Sequence, residues 1–397
     1  MKALVIAPQP FFTPRGTPFS VYYRALVTSE LGTQIDLLCY GEGEDVDIPG
    51  VRMVRVPNVP WFGRVKIGPS WLKLLIDGLV VLWTIGLLIR NRYDFVHAHE
   101  EAVFFCVFLK PIFQFKLIYD MHSSLPQQLT NFKFTKSRFL IDLFKKLEDR
   151  SINRADAIIT ICPDLADYVL GVIKDPKRHF LIENSIFDPV KIKLVPSASQ
   201  AHEQRERERQ LKACLPPGKR LIVYTGTLEP YQGIHLMIRA LPQVIDNIPE
   251  AFLLIAGGAP EQVEQYREMA KTLGLADHCL LTGQVSQPLA QYFSSVADVL
   301  VSPRSEGTNT PLKIYQQLAS GIPLVATRIY SHTQVLDATV AHLVNPEPED
   351  MANGIIEALN TPPGPFSKTA KAVQLYQKKY SRQSYDAKMR QLLELVA

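Results

Sequence analysis

Short, uninterrupted apolar runs ending in glycine or small polar residues recur along the chain, separated by segments whose apolar positions follow helical spacing. Leu4 to Ala7 is the first run, followed by the loop QPFFTPRGTP and a helix from about Phe19 to Leu31. Strands follow at Ile35 to Cys39 and Val51 to Val56. Ser70 to Arg92 reads as a long helix, and Phe95 to Ala98, Leu117 to Asp120 and Ala157 to Ile161 as further buried strands. Strands that are apolar on both faces and alternate with helices predict a doubly wound parallel sheet.

The pattern then repeats. Strand Leu221 to Tyr224, helix Gly233 to Ile245, strand Phe252 to Ala256, helix Glu261 to Leu273, strand Cys279 to Thr282 and helix Leu289 to Ser295 lead into Asp298 to Thr327. That stretch, DVLVSPRSEGTNTPLKIYQQLASGIPLVAT, reads strand, loop, helix, strand; Met351 to Leu359 and Phe366 to Ala397 add helices. Between the two series, SASQAHEQRERERQLKA is dense in charge and LPPGKR punctuates its end, as in a solvated helix or linker. The predicted organisation is a Rossmann-like domain over residues 1–187, a linker region over 188–219 and a second Rossmann-like domain over 220–375. A closing helix over 376–397 is expected to pack back toward the first domain. Two such α/β domains would face a cleft between their carboxyl edges.

Composition narrows the reading. With 397 residues, 47% of them hydrophobic, the chain can build two or three cores. A net charge of +4, with few basic residues interleaved with aromatics, gives nucleic-acid binding little support. The five cysteines are scattered without metal spacing, which points to a reducing compartment and no disulfide framework. MKALVIA is too short for a signal peptide, and Gly78 to Ile89 is well short of the ~20 apolar residues that span a bilayer. The expected location is cytoplasmic, with room for a peripheral contact at the inner face of a membrane.

The candidate chemistry gathers at strand ends. Gly307, Thr308, Asn309 and Thr310 lead into a helix that Pro311 would open in its first turn, followed by Leu312. Amides and the positive end of a helix make an anion cradle, and Lys313, a cation unfavourable to that dipole, calls for an anionic partner. The other reading is an ordinary strand-to-helix turn with Lys313 solvated. Gly226 and Thr227, Gln232 and Gly233, Gly257 and Gly258, and Gly283 end other strands or open helices, describing a wall of backbone suited to a nucleotide. Gly16 would let the backbone approach a phosphate or sugar, or would form a plain turn. Glu306 could steady positive charge at a reacting carbon or pair with Arg304 on the surface. His97 and His99 would face one side of their strand; without a third ligand, buried and satisfied histidines are favoured over a metal site. His122, after the strand LIYD, stands at a carboxyl edge among polar residues and is the better candidate for touching a ligand.

Together these residues resemble the family-4 retaining glycosyltransferases of the GT-B type. The likeness runs through the loop at Gly16, YDFVHAH, DMH with His122, ENSIFD with Asn184, YTGTLEPYQG, IAGG, LTGQV and EGTNTPLKIYQQLASGIPLVAT. It implies a donor nucleotide sugar on the C-terminal domain and an acceptor entering from the N-terminal one. His122 would contact the donor sugar near its reacting carbon, a glutamate near Glu306 would touch the sugar, and backbone near Gly283 to Val285 would read a UDP, GDP or ADP base. Loop amides would hold the diphosphate, with no metal and no other cofactor. The chain departs from the family where a second glutamate falls at Gln316 and a basic pair falls at Thr227 and Gln232. Glu306 also lies further before Gln316 than the family spacing. Two lost charge-assisted contacts would forfeit roughly 1.5 to 3 kcal/mol each, which Lys313 and Arg304 are expected to offset.

The resemblance implies transfer of a sugar to an acceptor hydroxyl with retention, by attack on the face the diphosphate leaves. In the stretch Met121 to Arg150, Phe139, Leu140, Leu143, Phe144 and Leu147 form a stripe beside Lys136, Arg138, Lys145 and Lys146. With the apolar helix Ser70 to Arg92, that stripe leans the acceptor toward a lipid at an anionic membrane surface. A soluble sugar or small alcohol is the alternative acceptor. The neutral replacements make a non-catalytic nucleotide-sugar-binding or regulatory subunit the rival function, and an epimerase on the same architecture a weaker third.

Overall fold

The computed structural model describes residues 1–13, 16–58, 71–124, 126, 138–184, 186–187, 190–191, 198–362 and 364–397, without the side chains of 71–72, 138–140, 198 and 200–201. Two units form, Met1–Val195 with Arg382–Ala397, and Pro196–Ser381. The first contains β1 (Lys2–Ala7), α1 (Gly16–Glu30), β2 (Gln34–Cys39), β3 (Val51–Arg55), α2 (Trp71–Arg90) and β4 (Phe95–His99). It continues with α3 (Ala102–Phe113), β5 (Lys116–Met121), α4 (Arg138–Arg154), β6 (Ala157–Thr160), α5 (Pro163–Val172) and β7 (His179–Leu181). The second unit contains α6 (Ala198–Ala213), β8 (Arg220–Thr225), α7 (Ile234–Asn247), β9 (Ala251–Ala256), α8 (Pro260–Thr272), β10 (Cys279–Gly283) and α9 (Gln287–Ser295). β11 (Val299–Ser302), α10 (Lys313–Ala319), β12 (Leu324–Thr327), α11 (Tyr330–Thr333), β13 (His342–Val344), α12 (Pro348–Asn360) and α13 (Lys368–Lys379) complete it, and α14 (Arg382–Val396) returns to the first unit.

Each unit is built on one sheet. The first is seven-stranded in the order β3-β2-β1-β4-β5-β6-β7, the second six-stranded in the order β10-β9-β8-β11-β12-β13, and every pair is parallel. The expected α/β class, with two Rossmann-like domains, is what forms. Strand order reverses between β1 and β4 in one sheet and between β8 and β11 in the other. At such a switch point neighbouring crossovers leave on opposite faces and open a crevice at the carboxyl edge. β4, β6, β9, β11 and β12 are buried along their whole length, which is why they read as apolar runs without alternation. Proline within the first two positions starts α5, α8, α9 and α12, where the missing amide proton costs no helical bond.

Where the structure differs from the expected elements, the reasons are local. α3, AVFFCVFLKPIF, is apolar on nearly every side, so no periodicity betrays it. β7 and β13 have three residues each and α11 four, too short to carry a pattern. The loop after β11 runs further than expected: helix α10 begins at Lys313 rather than at Pro311, and only Ile314 N–H to the Pro311 carbonyl, at 3.0 Å, anticipates it. With seven residues, α10 has a weak dipole, so the cradle cannot depend on it. α6 is solvated on most sides, as its charge density requires. No helix among the described residues is long and apolar enough to cross a membrane.

Candidate active site

In the second unit, adjacent strands end in glycines with positive φ: Gly226 (148°), Gly257 (127°) and Gly283 (71°). Gly257 N–H donates to the Gly283 carbonyl at 2.8 Å and Gly226 N–H to the Ala256 carbonyl at 2.9 Å, so the three turns stand side by side. A Cβ at Gly257 would lie 1.9 Å from the Gly226 carbonyl oxygen. The edge is therefore walled by backbone where a side chain cannot fit. Gly233 is held as tightly: a Cβ there would meet the Pro303 carbonyl oxygen at 2.0 Å.

The loop from Pro303 to Leu312 rises beside this wall. Arg304 organises it from within, with Nε donating to the Glu306 carbonyl at 2.7 Å and Nη1 to the Asn309 carbonyl at 3.0 Å, and the guanidinium 5.2 Å from the Tyr231 ring. Of the two readings of Glu306, the surface pair with Arg304 is not what forms; Arg304 takes the Glu306 backbone oxygen, and the Glu306 side chain is exposed. Behind the loop, Thr327 donates its hydroxyl to the Arg304 carbonyl, and Gln334 donates to the Thr308 carbonyl. His332, fully buried, donates from Nδ1 to the Thr327 carbonyl at 2.8 Å, which leaves Nε2 to accept from the Ser302 hydroxyl at 3.0 Å. Burial, opposed by the Thr327 carbonyl and reinforced by nearby Lys313 and Arg304, pushes this imidazole down to about 4.

Lys313 has no comparable partners. Its stem is partly accessible, but the ammonium nitrogen is sealed from solvent 3.7 Å from the centre of the Tyr224 ring, with no hydrogen-bond acceptor. Burial first, and then Arg304, pushes it down to about 7. Gly226 adjoins it, since a Cβ there would lie 3.7 Å from Lys313 Nζ. The Thr310 hydroxyl is likewise buried without a partner. A cation that gains no hydrogen bond from the protein, set against a backbone wall, is suited to an anion.

In the first unit, β4 and β5 lie side by side and carry His97, His99, Asp120 and, just past the strand, His122. His97 and His99 stack with ring centroids 4.6 Å apart, so they share one side, as their spacing predicts. Asp120 Oδ2 accepts from His97 Nε2 at 3.0 Å and from Arg24 Nε at 3.0 Å. His122 Nε2 lies 3.3 Å from Asp120 Oδ1 and 3.1 Å from His99 Nδ1. Burial opposes ionisation of Asp120, yet Arg24 and then the imidazoles hold its carboxyl well below the usual range. Burial pushes His122 down to about 4 against the pull of Asp120. Thus Asp120 supplies the third ligand type that sequence spacing could not place, and His97, His99 and Asp120 could together hold a metal ion. The bonded Arg24 guanidinium already balances the carboxylate, so the set fits an ion pair among imidazoles better than a divalent cation.

The other expected residues fall as follows. Gly226, Lys313 and Arg304 are brought together at the wall; Thr308, Asn309, Thr310, Pro311 and Leu312 form the loop that leads to Lys313; Gln316 lies half-buried on α10. Thr227 and Gln232, at the positions of the basic pair, face each other, Gln232 Nε2 to Thr227 Oγ1 at 3.4 Å. Val285 is half-buried beyond Gly283. Gly16 opens α1, and a Cβ there would meet nothing within 4 Å, while Pro14 and Arg15 lie outside the described residues. Sequence reasoning misses Arg24, Asp120, Tyr385 and His332. A lone arginine in the apolar run FSVYYRALV is the one signal for Arg24, and Asp120 is visible only as the first residue of DMH; nothing local marks Tyr385 or His332.

Comparison with known proteins agrees with this architecture. The family model "Glycosyltransferase Family 4" matches residues 16–186, and "Glycosyl transferases group 1" matches residues 205–380. The phosphatidyl-myo-inositol mannosyltransferase of Mycobacterium tuberculosis strain H37Rv is 24% identical over 370 residues, covering 90% of this chain and 88% of its own. Sucrose-phosphate synthase from Thermosynechococcus elongatus superposes with a TM-score of 0.72 at 19% identity, over 99% of this chain and 98% of that one. The Anabaena protein Alr3699/HepE, in complex with UDP-glucose, gives 0.69 at 15% identity over 99% of both chains. With two family models covering both units, a relative aligned over nine-tenths of the chain and the same fold in solved enzymes, this chain belongs to the family-4 glycosyltransferases of GT-B architecture.

Proposed function

We propose that the protein transfers a sugar, with retention, from a nucleotide-sugar donor to an acceptor hydroxyl. The observation that carries the reading is the sealed Lys313 ammonium beside the glycine wall of the second unit. In this reading the diphosphate lies against Gly226 and the loop from Thr308 to Leu312, and Lys313 and Thr310 supply the donors that Thr227 and Gln232 do not. Arg304 shapes the loop. Val285 borders the base, Gln316 accepts from the ribose hydroxyls, and Gly16 gives the donor room at the head of α1. Glu306 and His122 act at the sugar, with His122 neutral and able to hydrogen-bond a hydroxyl next to the reacting carbon. As the glycosidic bond breaks, charge builds on the departing phosphate, where a preorganised cation stabilises it more than it stabilises the ground state. The departing oxygen takes the acceptor proton, and the scheme uses no metal.

The acceptor we favour is a lipid or lipid-linked alcohol met at an anionic membrane surface, with the protein peripheral on its cytoplasmic side. The relative acting on phosphatidyl-myo-inositol supports this lean, as does the outer face of α2. There Leu75, Leu82 and Ile89, one heptad apart, are 60%, 62% and 70% exposed. Exposed Leu143, Lys145 and Lys146 on α4 extend the same character, while Phe144 is half-buried against Phe104; Lys136 and the side chains of Arg138, Phe139 and Leu140 lie outside the described residues. Purified protein incubated with UDP-, GDP- and ADP-sugars and lipid or soluble acceptors tests the reading. Transfer lost in His122→Ala and Lys313→Ala is expected. Donor binding without transfer or hydrolysis would instead favour the regulatory-subunit reading that the neutral Thr227, Gln232 and Gln316 raise.

A further inference from the structure

We propose that Arg24 and Tyr385 are positioning residues that hold His122 in its working orientation and protonation state; the proposal rests on the role of His122 at the donor sugar. Arg24, on α1, is buried and spends its guanidinium on three separate elements. Nε donates to Asp120 Oδ2 at 3.0 Å, Nη1 to the Tyr385 hydroxyl at 2.6 Å and Nη2 to the Ile182 carbonyl at 2.6 Å. The Tyr385 ring also lies under the guanidinium, 5.1 Å from its centre, and packs edge-on against Phe187 at 5.2 Å. Tyr385 belongs to α14, 361 positions along the chain from Arg24.

Asp120 passes this arrangement on. Its carboxylate faces His97 Nε2 at 3.0 Å, His99 Nδ1 at 3.6 Å and His122 Nε2 at 3.3 Å. A buried carboxylate can orient imidazole N–H groups only while it is ionised, and in a low-dielectric interior that requires a matching cation. Arg24 is that cation. Without it the Asp120 charge is unopposed and draws a neighbouring imidazole toward its charged form. The field at His122 then changes, because its Nε2 lies 3.3 Å from Asp120 Oδ1, and with it the hydrogen bond that Nε2 shares with His99 Nδ1 at 3.1 Å. The groups facing this cluster are Asp120 on β5, His97 and His99 on β4, Glu100 beyond β4 (holding the Ser123 hydroxyl at 2.8 Å), Arg24 on α1, Tyr385 on α14 and Glu148 on α4 (holding the Ser124 hydroxyl at 2.8 Å). Among these Arg24 is the one permanent cation, which is why its seating by Tyr385 matters.

The test uses the full-length protein with Tyr385→Phe, which keeps the ring contacts, and with Arg24→Lys and Arg24→Gln. Tyr385→Phe is expected to lower kcat roughly tenfold, and Arg24→Gln up to about a hundredfold, the scale of a small misplacement of a reacting group. Donor KM should stay unchanged, and Arg24→Lys should recover part of the loss. Nitrogen-15 spectra of the histidine side chains should show His122 titrating at higher pH in Arg24→Gln, because the field of Asp120 is then unopposed, and less so in Arg24→Lys. If Arg24→Gln does not fold, Tyr385→Phe and Arg24→Lys decide the matter by the same two readouts. Wild-type kcat and an unmoved His122 titration in folded Tyr385→Phe and Arg24 variants, beside an inactive His122→Ala, would overturn the positioning role alone. An active His122→Ala would instead remove the donor-sugar reading beneath it.

Discussion

Lys313 is the residue on which the proposed chemistry turns, and its burial makes that testable. In the unliganded protein the ammonium is pushed down to about 7, by burial and then by Arg304. A bound diphosphate restores a partner and raises it again, so binding above pH 7 must take up a proton. Donor affinity should therefore be level below pH 7 and fall as pH rises above it, with proton uptake visible when calorimetry is repeated in buffers of different ionisation enthalpy. Lys313→Gln should erase that dependence and weaken binding by roughly 1.5 to 3 kcal/mol, the range for a charged hydrogen bond. Gly257 and Gly16 form a contrasting pair. Gly257→Ala puts a methyl 1.9 Å from the Gly226 oxygen at a φ of 127°, so urea denaturation should show a loss of at least about 1 to 3 kcal/mol together with weaker nucleotide binding. Gly16→Ala meets nothing within 4 Å; it should leave stability intact and lower donor affinity only if the donor approaches that backbone.

Among elements, the short segment β12–α11 acts as a brace for the loop after β11. Thr327, His332 and Gln334 together hold the Arg304 and Thr308 carbonyls and Ser302. His332 is buried neutral at about 4 against an ordinary value of 6.5. Between those limits the unfolded chain binds more protons than the folded one. Its contribution is thus fully present above pH 6.5, is lost progressively as pH falls toward 4, and amounts to roughly 3 kcal/mol. His332→Gln should flatten the acid side of the stability curve; His122, buried in the same way, keeps part of it. α2 presents a different case, a helix with one face in the core and one apolar stripe outside. Leu82→Glu and Ile89→Glu should reduce co-sedimentation with anionic vesicles while changing stability by no more than about 0.5 kcal/mol, as exposed substitutions do.

For the molecule as a whole, the architecture supplies two carboxyl-edge crevices, one per unit, each at a reversal of strand order. Family membership assigns glycosyl transfer, while the donor base, sugar and acceptor rest on contacts that relatives of this identity do not fix. A thermal-shift screen against UDP-, GDP- and ADP-sugars separates the donors. A matched donor at a hundred times its dissociation constant should stabilise the protein by about 2.7 kcal/mol. The same screen with Lys313→Gln distinguishes binding through the diphosphate from binding through the base.

Much of this was legible in the residues themselves. Apolar runs between glycine turns settle the α/β class because strands buried on both faces must be apolar, and the order of short motifs carries the family. The stacking of His97 on His99 follows from a two-residue spacing alone. What only the folded chain decided concerns partners far apart in sequence. Asp120 completes the histidine cluster because β4 and β5 are neighbours in the sheet. Arg24 finds Tyr385 across 361 positions, Lys313 is sealed against Tyr224, and Arg304 turns inward to backbone rather than to Glu306. Periodicity reports which face of an element is buried. The charge state of a buried group depends on which elements the fold stacks against it, and no local pattern encodes that.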